Sequence, residues 1–288
     1  MDTETARPAS SPADSQRFQL LEDIAREMSG SVVFPTTFDL VVRLRQAIDD
    51  PGASLERIAG MLSVEPLIAV RLVGLANSAA YRHRGMEVRD VKTAVQRLGL
   101  RSVRSAALAI ALGQLIRSKD MVDFKDYAQQ LWTHSLRAAG AARVIAGRMT
   151  RINPEEAMLA GLVHDLGAFY LLYRATRYPE LHARRDTVRH LVAQWHESIG
   201  HSLLIALGMP EDMADAMREH DHPRPVPETA RSLADVIYTA NLMAGGMVEW
   251  LDVGDTPEAL APYLLPQSYL ELQPEVDAQE KELLLVLG

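Results

Sequence analysis

The stretch "DFKDYAQQLWTHSLRAAGAARVIAGRM", residues 123 to 149, decides the class of fold. It is long and amphipathic, and the small residues after His134 allow a second helix to approach it closely. Apolar residues recur with a helical period almost everywhere else, whereas strand-like alternation is nowhere sustained. Near the start of the chain, one predicted helix face carries Phe18, Leu21, Ala25 and Met28. The sequence therefore predicts an all-α, multi-helix protein.

Helix start and stop signals divide the chain into short helices joined by tight turns. Ser54, Asp90 and Asn153 stand where a polar side chain caps a helix start, and Gly99 follows the helix that Asp90 begins. We expect a disordered tail over residues 1–16, a helix over 17–33, a helical domain over 34–245 and a helical tail over 246–288.

The composition excludes several kinds of chemistry. The 288 residues include no cysteine, so disulfides, thiolate zinc sites and cysteine nucleophiles are absent. Any metal must be held by imidazole and carboxylate groups, which suit Fe, Mn, Zn or Ni. The first 16 residues do not resemble a signal peptide, and the longest apolar run, 106–116, is about half of the ~20 residues that span a bilayer. We expect a cytoplasmic protein without a membrane span.

The net charge of −8 gives the protein no general attraction to nucleic acid. Residues 82–104 are nevertheless locally basic, and Arg97, Arg101 and Arg104 lie in this stretch. Such a run is usually a solvated helix face, and we do not expect a nucleic-acid partner. Binding that falls steeply with salt would indicate the alternative.

Four histidines and one aspartate are the candidate metal ligands. His164 and Asp165 are adjacent in "GLVHDLGAF" (161–169), His134 lies in the long amphipathic segment, and His196 and His220 each stand near the end of a helical pattern. Carried on helices, these side chains can converge in a bundle core. The alternative for each histidine is a hydrogen-bonded core or surface residue without a ligand.

Several motifs together resemble a known family. "LANSAAY" (75–81), "LWTHS" (131–135), "AGLVHDLG" (160–167) and "MREHDHP" (217–223) are similar to the HDOD domain, a branch of the HD superfamily of metal-dependent phosphohydrolases. The resemblance covers roughly residues 34–245. It implies an N-terminal helical subdomain, 34–120, that packs on an HD-like helical bundle, 121–245. It also matches the ligand set of that superfamily to His134, His164, Asp165, His196 and His220.

Departures from the catalytic pattern are as informative as the matches. Active HD-GYP phosphodiesterases carry a lysine where this chain has Ala168, and a late ligand aspartate where it has Asn241; Asp235 is a poorer match. Losing a cation beside the phosphate removes a stabiliser typically worth a few kcal/mol of barrier. We therefore expect no catalytic pair of ions. A single ion, held by His134, His164, Asp165 and His220 with Asp221 as a further ligand, stays open beside a cluster that binds no metal.

The resemblance implies a non-catalytic bacterial module of signal transduction that acts through protein or small-ligand contacts, with no catalytic or cofactor-binding residue assigned. Its expected partners are signalling proteins of a two-component or cyclic-dinucleotide pathway. The alternative is a metal-dependent phosphohydrolase that acts on a nucleotide or a cyclic dinucleotide. The groove between the two helical parts is the first place to search for a ligand, because grooves between domains commonly bind one. Structural roles are expected for Asn77, Ser78 and Trp132.

Overall fold

Polar side chains cap the helices at the positions that the sequence indicates. In the computed structural model, Ser54 Oγ accepts a hydrogen bond from Arg57 N, and Asp90 Oδ1 accepts one from Thr93 N. Asn153 Oδ1 similarly accepts a bond from the backbone N–H of Glu155. These bonds satisfy amide groups that have no partner inside the helix.

The structure describes residues 12–28, 38–50, 52, 54–78, 81, 87–207, 209–218, 220–246 and 264–287. Within these ranges every regular element is helical, which confirms the all-α prediction. The first helices are α1 (Pro12–Met28), α2 (Asp39–Asp49), α3 (Leu55–Ser63), α4 (Pro66–Ala76) and α5 (Val91–Ile116), followed by a 3₁₀ turn (Lys119–Phe124). The next are α6 (Lys125–Met149), α7 (Pro154–Val163), α8 (Leu166–Ala175), α9 (Pro179–His182) and α10 (Arg185–Ala206). The last are α11 (Glu211–Ala216), α12 (Leu233–Met243), α13 (Gln267–Leu270) and α14 (Gln273–Leu287).

Helices α2, α3 and α4 pack on α5 and form the N-terminal part. The turn after α4 is fixed by Asn77, whose side-chain amide donates to Val88 O at 2.8 Å and accepts from Val88 N at 2.9 Å. Gly99 adopts φ 76° and ψ 158°, a conformation that favours glycine, and bends α5. Asn77 therefore has the structural role that the sequence suggested.

The second part is built around α6, which packs on α7 and α12, while α8 packs on α10. Trp132 is buried in the core of this part, as expected. Gly161 lets α7 lie directly against α6, because a Cβ there would be 2.8 Å from Ala138 O. A close helix crossing of this kind places the end of α7 beside the middle of α6.

Helix α1 starts earlier than the sequence indicated and turns a different face inward. It begins at Pro12, so residues 12–16 belong to the helix rather than to the expected tail, and it ends at Met28; residues 29–33 lie outside the described residues. Leu20 and Ile24 are buried, whereas Phe18 is 70% exposed. Polar contacts explain the rotation, since Asp23 accepts a hydrogen bond from Tyr178 and Glu27 pairs with Arg174.

The C-terminal helices are part of the core. Helix α14 runs along α6, and Tyr269 and Val276 are fully buried. Arg137 of α6 forms ion pairs with Asp277, at 2.9 Å, and with Glu280. The tail that the sequence placed at 246–288 is therefore integral to the fold over its described part, residues 264–287.

Across the described residues, no single helix combines the length and the apolar composition that a membrane span requires. One pair of helices, α3 and α4, meets those criteria of length and composition only when taken together, and it is bent by 120°.

Candidate metal centre

Four imidazoles and one carboxylate converge between four helical segments; we call them the histidine cluster. His134 lies in α6, His164 and Asp165 form the junction of α7 and α8, His196 lies in α10, and His220 follows α11. All five residues are at most 5% exposed. The structure thus brings together every residue that the sequence singled out as a metal ligand.

The four imidazole rings are anchored in the same way. In each ring, Nδ1 faces a backbone carbonyl oxygen at 2.7 to 3.3 Å. The carbonyls facing His134, His164, His196 and His220 belong to Ala244, Gly161, Val192 and Met217, respectively. A ring that donates its Nδ1 proton to a carbonyl presents its Nε2 lone pair on the opposite side, which is the usual arrangement of metal-ligating histidines.

The carboxylate of Asp165 divides the cluster into two triads. Its Oδ2 lies 3.2 Å from His164 Nε2 and 3.6 Å from His134 Nε2. Its Oδ1 lies 3.3 Å from His220 Nε2 and 3.6 Å from His196 Nε2. Within each triad the two imidazoles are close, since His134 Nε2 and His164 Nε2 are 3.1 Å apart, and His196 Nε2 and His220 Nε2 are 3.3 Å apart.

These spacings fit metal coordination. Ligand atoms at about 2.1 Å from one ion lie about 3.0 Å apart in octahedral geometry and about 3.4 Å apart in tetrahedral geometry. In each triad two of the three distances lie in this range and the third is 3.6 Å, so each triad is a group that could hold a metal ion. This differs from the single set of His134, His164, Asp165 and His220 suggested by the sequence. The difference arises because the two oxygens of Asp165 face opposite sides.

Asp221, named in the sequence analysis as a further ligand, faces the Nε2 side of the histidine cluster and is itself held by polar neighbours. Asp221 Oδ2 lies 3.2 Å from His196 Nε2, and its Oδ1 accepts a hydrogen bond of 2.8 Å from Asn241 Nδ2. Asn241 Nδ2 also donates to His220 O at 3.1 Å, and Glu197 Oε1 accepts from Asp221 N at 3.0 Å. Asn241 therefore holds Asp221 and the backbone of His220 in place, and it supplies no carboxylate of its own.

Charges inside the cluster shift the pKa values of its members. Burial disfavours the imidazolium of His220, but the carboxylates of Asp221 and Asp165 outweigh that effect and raise its pKa to about 10. Burial likewise opposes ionisation of Asp221, yet His220 and its neighbours lower the pKa of Asp221 to about 2. Burial and the adjacent His164 lower the pKa of His134. A bound divalent ion would take the place of such protons, since metal ligands must be deprotonated.

Two glycines allow the cluster to form. Gly167 of α8 lies directly against α10, and a Cβ on it would be 2.0 Å from His196 O and 2.6 Å from Gly200 N. A Cβ on Gly200 would in turn be 3.2 Å from Gly167 N. This contact brings Asp165, at the start of α8, within reach of His196 on α10.

The other residues that the sequence analysis compared with catalytic positions lie outside the histidine cluster. Ala168, at the position of the family's lysine, is buried in α8. Asp235 completes a capping box with Ser232 at the start of α12 and is not part of the cluster. Sequence reasoning missed Glu197, although it stands next to His196; its contacts depend on how the segment after α11 folds back, which no local pattern reveals.

The chain is an all-α protein with a buried cluster of histidines, and the model of one protein family matches it. The HDOD domain model matches residues 34–223, more than half of the chain. The chain therefore belongs to the HDOD domain family. The matched stretch ends before α12, so Asn241 lies beyond it.

Three solved structures have the same fold. A candidate metal-dependent phosphohydrolase from Shewanella amazonensis SB2B is 24% identical, with a TM-score of 0.66, over 92% of this chain and 99% of that chain. An HDOD domain protein of unknown function from Geobacter sulfurreducens is 20% identical, with a TM-score of 0.55, over 95% and 96% of the two chains. A candidate signal transduction protein from Marinobacter aquaeolei VT8 is 21% identical, with a TM-score of 0.55, over 100% of this chain and 68% of that chain.

Among curated proteins, an uncharacterized protein of Treponema pallidum (strain Nichols) is 26% identical over 254 residues. The match covers 82% of this chain and 45% of that protein, so the chain spans less than half the length of this relative.

Proposed function

We propose that this protein is a non-catalytic signal-transduction module whose histidine cluster binds a divalent metal ion that stabilises the helical bundle. The observation that supports this proposal is the arrangement of four anchored imidazoles, from three helices and one loop. Their Nε2 atoms all face the carboxylate of Asp165 inside the core. An ion held there would connect α6, the junction of α7 and α8, α10 and the segment after α11. Fe, Mn, Zn and Ni all suit such a ligand set.

The charges around the cluster, as far as the structure describes them, favour a regulatory role. Throughout the part of the chain that the structure describes, no lysine or arginine forms a hydrogen bond or an ion pair with the histidine cluster, Asp221 or Asn241. Phosphoryl transfer gains much of its rate from charge that is placed in advance around the phosphoryl oxygens. The name of the Marinobacter protein agrees with a signalling role, and signalling proteins of a two-component or cyclic-dinucleotide pathway are the partners we infer.

A phosphohydrolase is the second candidate, and the two triads that share Asp165 favour it. A pair of bound ions would lower the pKa of a water molecule and neutralise charge on a phosphate. The residues of this chain would contribute the bridging carboxylate and the fixed imidazoles. They would lack the lysine that Ala168 replaces and the carboxylate that Asn241 replaces.

Metal analysis combined with stability and hydrolysis assays separates the two candidates. We expect purified protein to retain a divalent metal, to melt at a lower temperature after chelation and to regain stability when Mn²⁺ or Fe²⁺ is restored under reducing conditions. We expect no turnover of a cyclic dinucleotide or a phosphodiester. Turnover that His164→Ala and Asp165→Ala abolish would overturn the regulatory proposal. Protein that holds no metal and melts identically with and without chelator would overturn the metal role.

A further inference from the structure

A cavity of about 300 Å³ lies between the N-terminal part and the HD-like part; we call it the interdomain cavity. The end of α2 and the middle of α5 line one side, and the start of α7 with residues 210–213 lines the other. No member of the histidine cluster lines it. A ligand there would contact both parts of the protein without touching the metal centre.

Two arginines on α5 face this cavity without partners. Arg101 and Arg104 are three residues apart and so share a helix face, and neither guanidinium group forms an ion pair or a hydrogen bond among the described residues. Arg104 is partly buried, and burial lowers its pKa. Nearby Arg45 differs, because its Nε lies 3.2 Å from the carboxylate of Asp49. Arg101 is exposed to solvent, whereas the partly buried guanidinium of Arg104, which has no ion-pair partner, is costly unless an anion compensates for it.

The acidic residues of the cavity do not neutralise both arginines. Glu155 is already engaged, since its carboxylate lies 2.7 Å from Arg143 and accepts hydrogen bonds from Tyr81 and Ser102. Glu156 is the other acidic residue in the lining. The carboxylate of Glu156 attracts the guanidinium of Arg104 electrostatically, but the two groups do not form an ion pair. Two guanidinium groups and one available carboxylate leave a net excess of one positive charge.

The rest of the lining is apolar except for Ser105, whose hydroxyl donates a hydrogen bond to the backbone oxygen of Arg101 at 3.1 Å. Leu100, Leu159 and Met213 contribute side chains to the walls, together with Pro210. Apolar walls with a few convergent charged groups are the usual lining of a small-molecule site. A ligand that fits would carry an anionic group at one end and an apolar or aromatic body at the other.

We propose that the interdomain cavity binds a small phosphate-bearing molecule of about the size of a mononucleotide. Guanidinium groups bind phosphate through paired, charge-assisted hydrogen bonds, and Arg101 and Arg104 would provide them. The volume equals that of about ten water molecules in the liquid and is at the small end of ligand pockets, so a cyclic dinucleotide is too large. The inference goes beyond the proposed function, because it concerns other residues and would hold whether or not the cluster binds metal.

Calorimetric titration of the full chain with AMP and GMP tests the proposal. Adenosine, inorganic phosphate and cyclic di-GMP serve as comparison probes. We expect AMP or GMP to bind, adenosine and cyclic di-GMP not to bind, and inorganic phosphate to bind more weakly. Arg101→Gln and Arg104→Gln should each weaken binding by about tenfold or more, because each removes charge-assisted hydrogen bonds.

Two further variants make the result decisive. Arg151→Gln removes the same charge from an exposed arginine outside the cavity, so it should leave the affinity within about twofold. Asp165→Asn alters the histidine cluster and should leave AMP binding unchanged. The proposal is overturned if no phosphate compound binds, if Arg151→Gln weakens binding as much as Arg104→Gln, or if Asp165→Asn abolishes it. Circular dichroism of each variant excludes loss of the fold as the cause.

Discussion

Replacing Gly167 with alanine should destabilise the protein and distort the histidine cluster. Gly167 lies at the crossing of α8 and α10, two residues after Asp165. The added Cβ would lie 2.0 Å from His196 O and 2.6 Å from Gly200 N. Both contacts are backbone atoms of a packed helix, so no side chain can rotate away to make room.

The size of the effect follows from these distances. An ordinary contact begins at 3.4 Å, so α8 and α10 must separate by roughly 1.4 Å, the difference between 3.4 and 2.0 Å, to accept the methyl group. Overpacking of this kind typically costs 1–3 kcal/mol and sometimes more, while alanine regains about 1 kcal/mol of helix propensity. Because the clash is with backbone atoms that cannot rotate away, the cost lies at or above the upper end of that range, and we expect a net loss of about 2 kcal/mol or more, which lowers the melting temperature by roughly 4–8 °C.

Thermal and urea denaturation measure this loss, and Gly60→Ala is the matched control. Gly60 also lies inside a helix, α3, but a Cβ there meets no atom within 4 Å. Gly60→Ala should therefore leave stability unchanged or raise it by up to about 1 kcal/mol. Wild-type stability in Gly167→Ala, or an equal loss in both variants, would refute the reasoning.

Three other substitutions test separate features. Asn241→Asp replaces the amide that donates to Asp221 with a second carboxylate. The metal-free variant should therefore melt at a lower temperature than the metal-free wild type, and added Mn²⁺ should raise its melting temperature by more. A melting temperature equal to that of the wild type without metal would contradict this. Although burial opposes it, hydrogen bonds lower the pKa of Asp235, so its stabilisation is present above about pH 4 and disappears as the pH falls through the folded-state pKa. Asp235→Asn should therefore cost about 1 kcal/mol at pH 7 and little near pH 2 by urea denaturation; an equal cost at both would exclude the charge as the cause. Glu27→Gln leaves the buried guanidinium of Arg174 without its carboxylate. The substitution should lower the free energy of unfolding by about 1–3 kcal/mol and make α1 easier to cleave by protease. Unchanged resistance to protease would show that the burial of Leu20 and Ile24 is enough to hold the helix.

Local patterns predicted most of the helices because their causes are local. Caps at Ser54, Asp90 and Asn153 act within one turn of the chain, and the helical period of apolar residues reflects one face packed inward. The same reasoning was wrong for α1, where Phe18 is exposed and Leu20 is buried. A short amphipathic helix has more than one face that can be buried, and the choice depends on the side chains that it meets.

The sequence by itself determined the all-α class and the capped helix starts, because these depend on residue type and short-range spacing, and its resemblance to the HDOD domain singled out the five residues of the histidine cluster. The tertiary structure alone decided how those residues are shared. The crossing at Gly167 places one oxygen of Asp165 toward His134 and His164 and the other toward His196 and His220. It also decided that α14 completes the core and that Arg101 and Arg104 face a cavity. Such outcomes depend on contacts between residues distant in sequence, which periodicity and spacing do not encode.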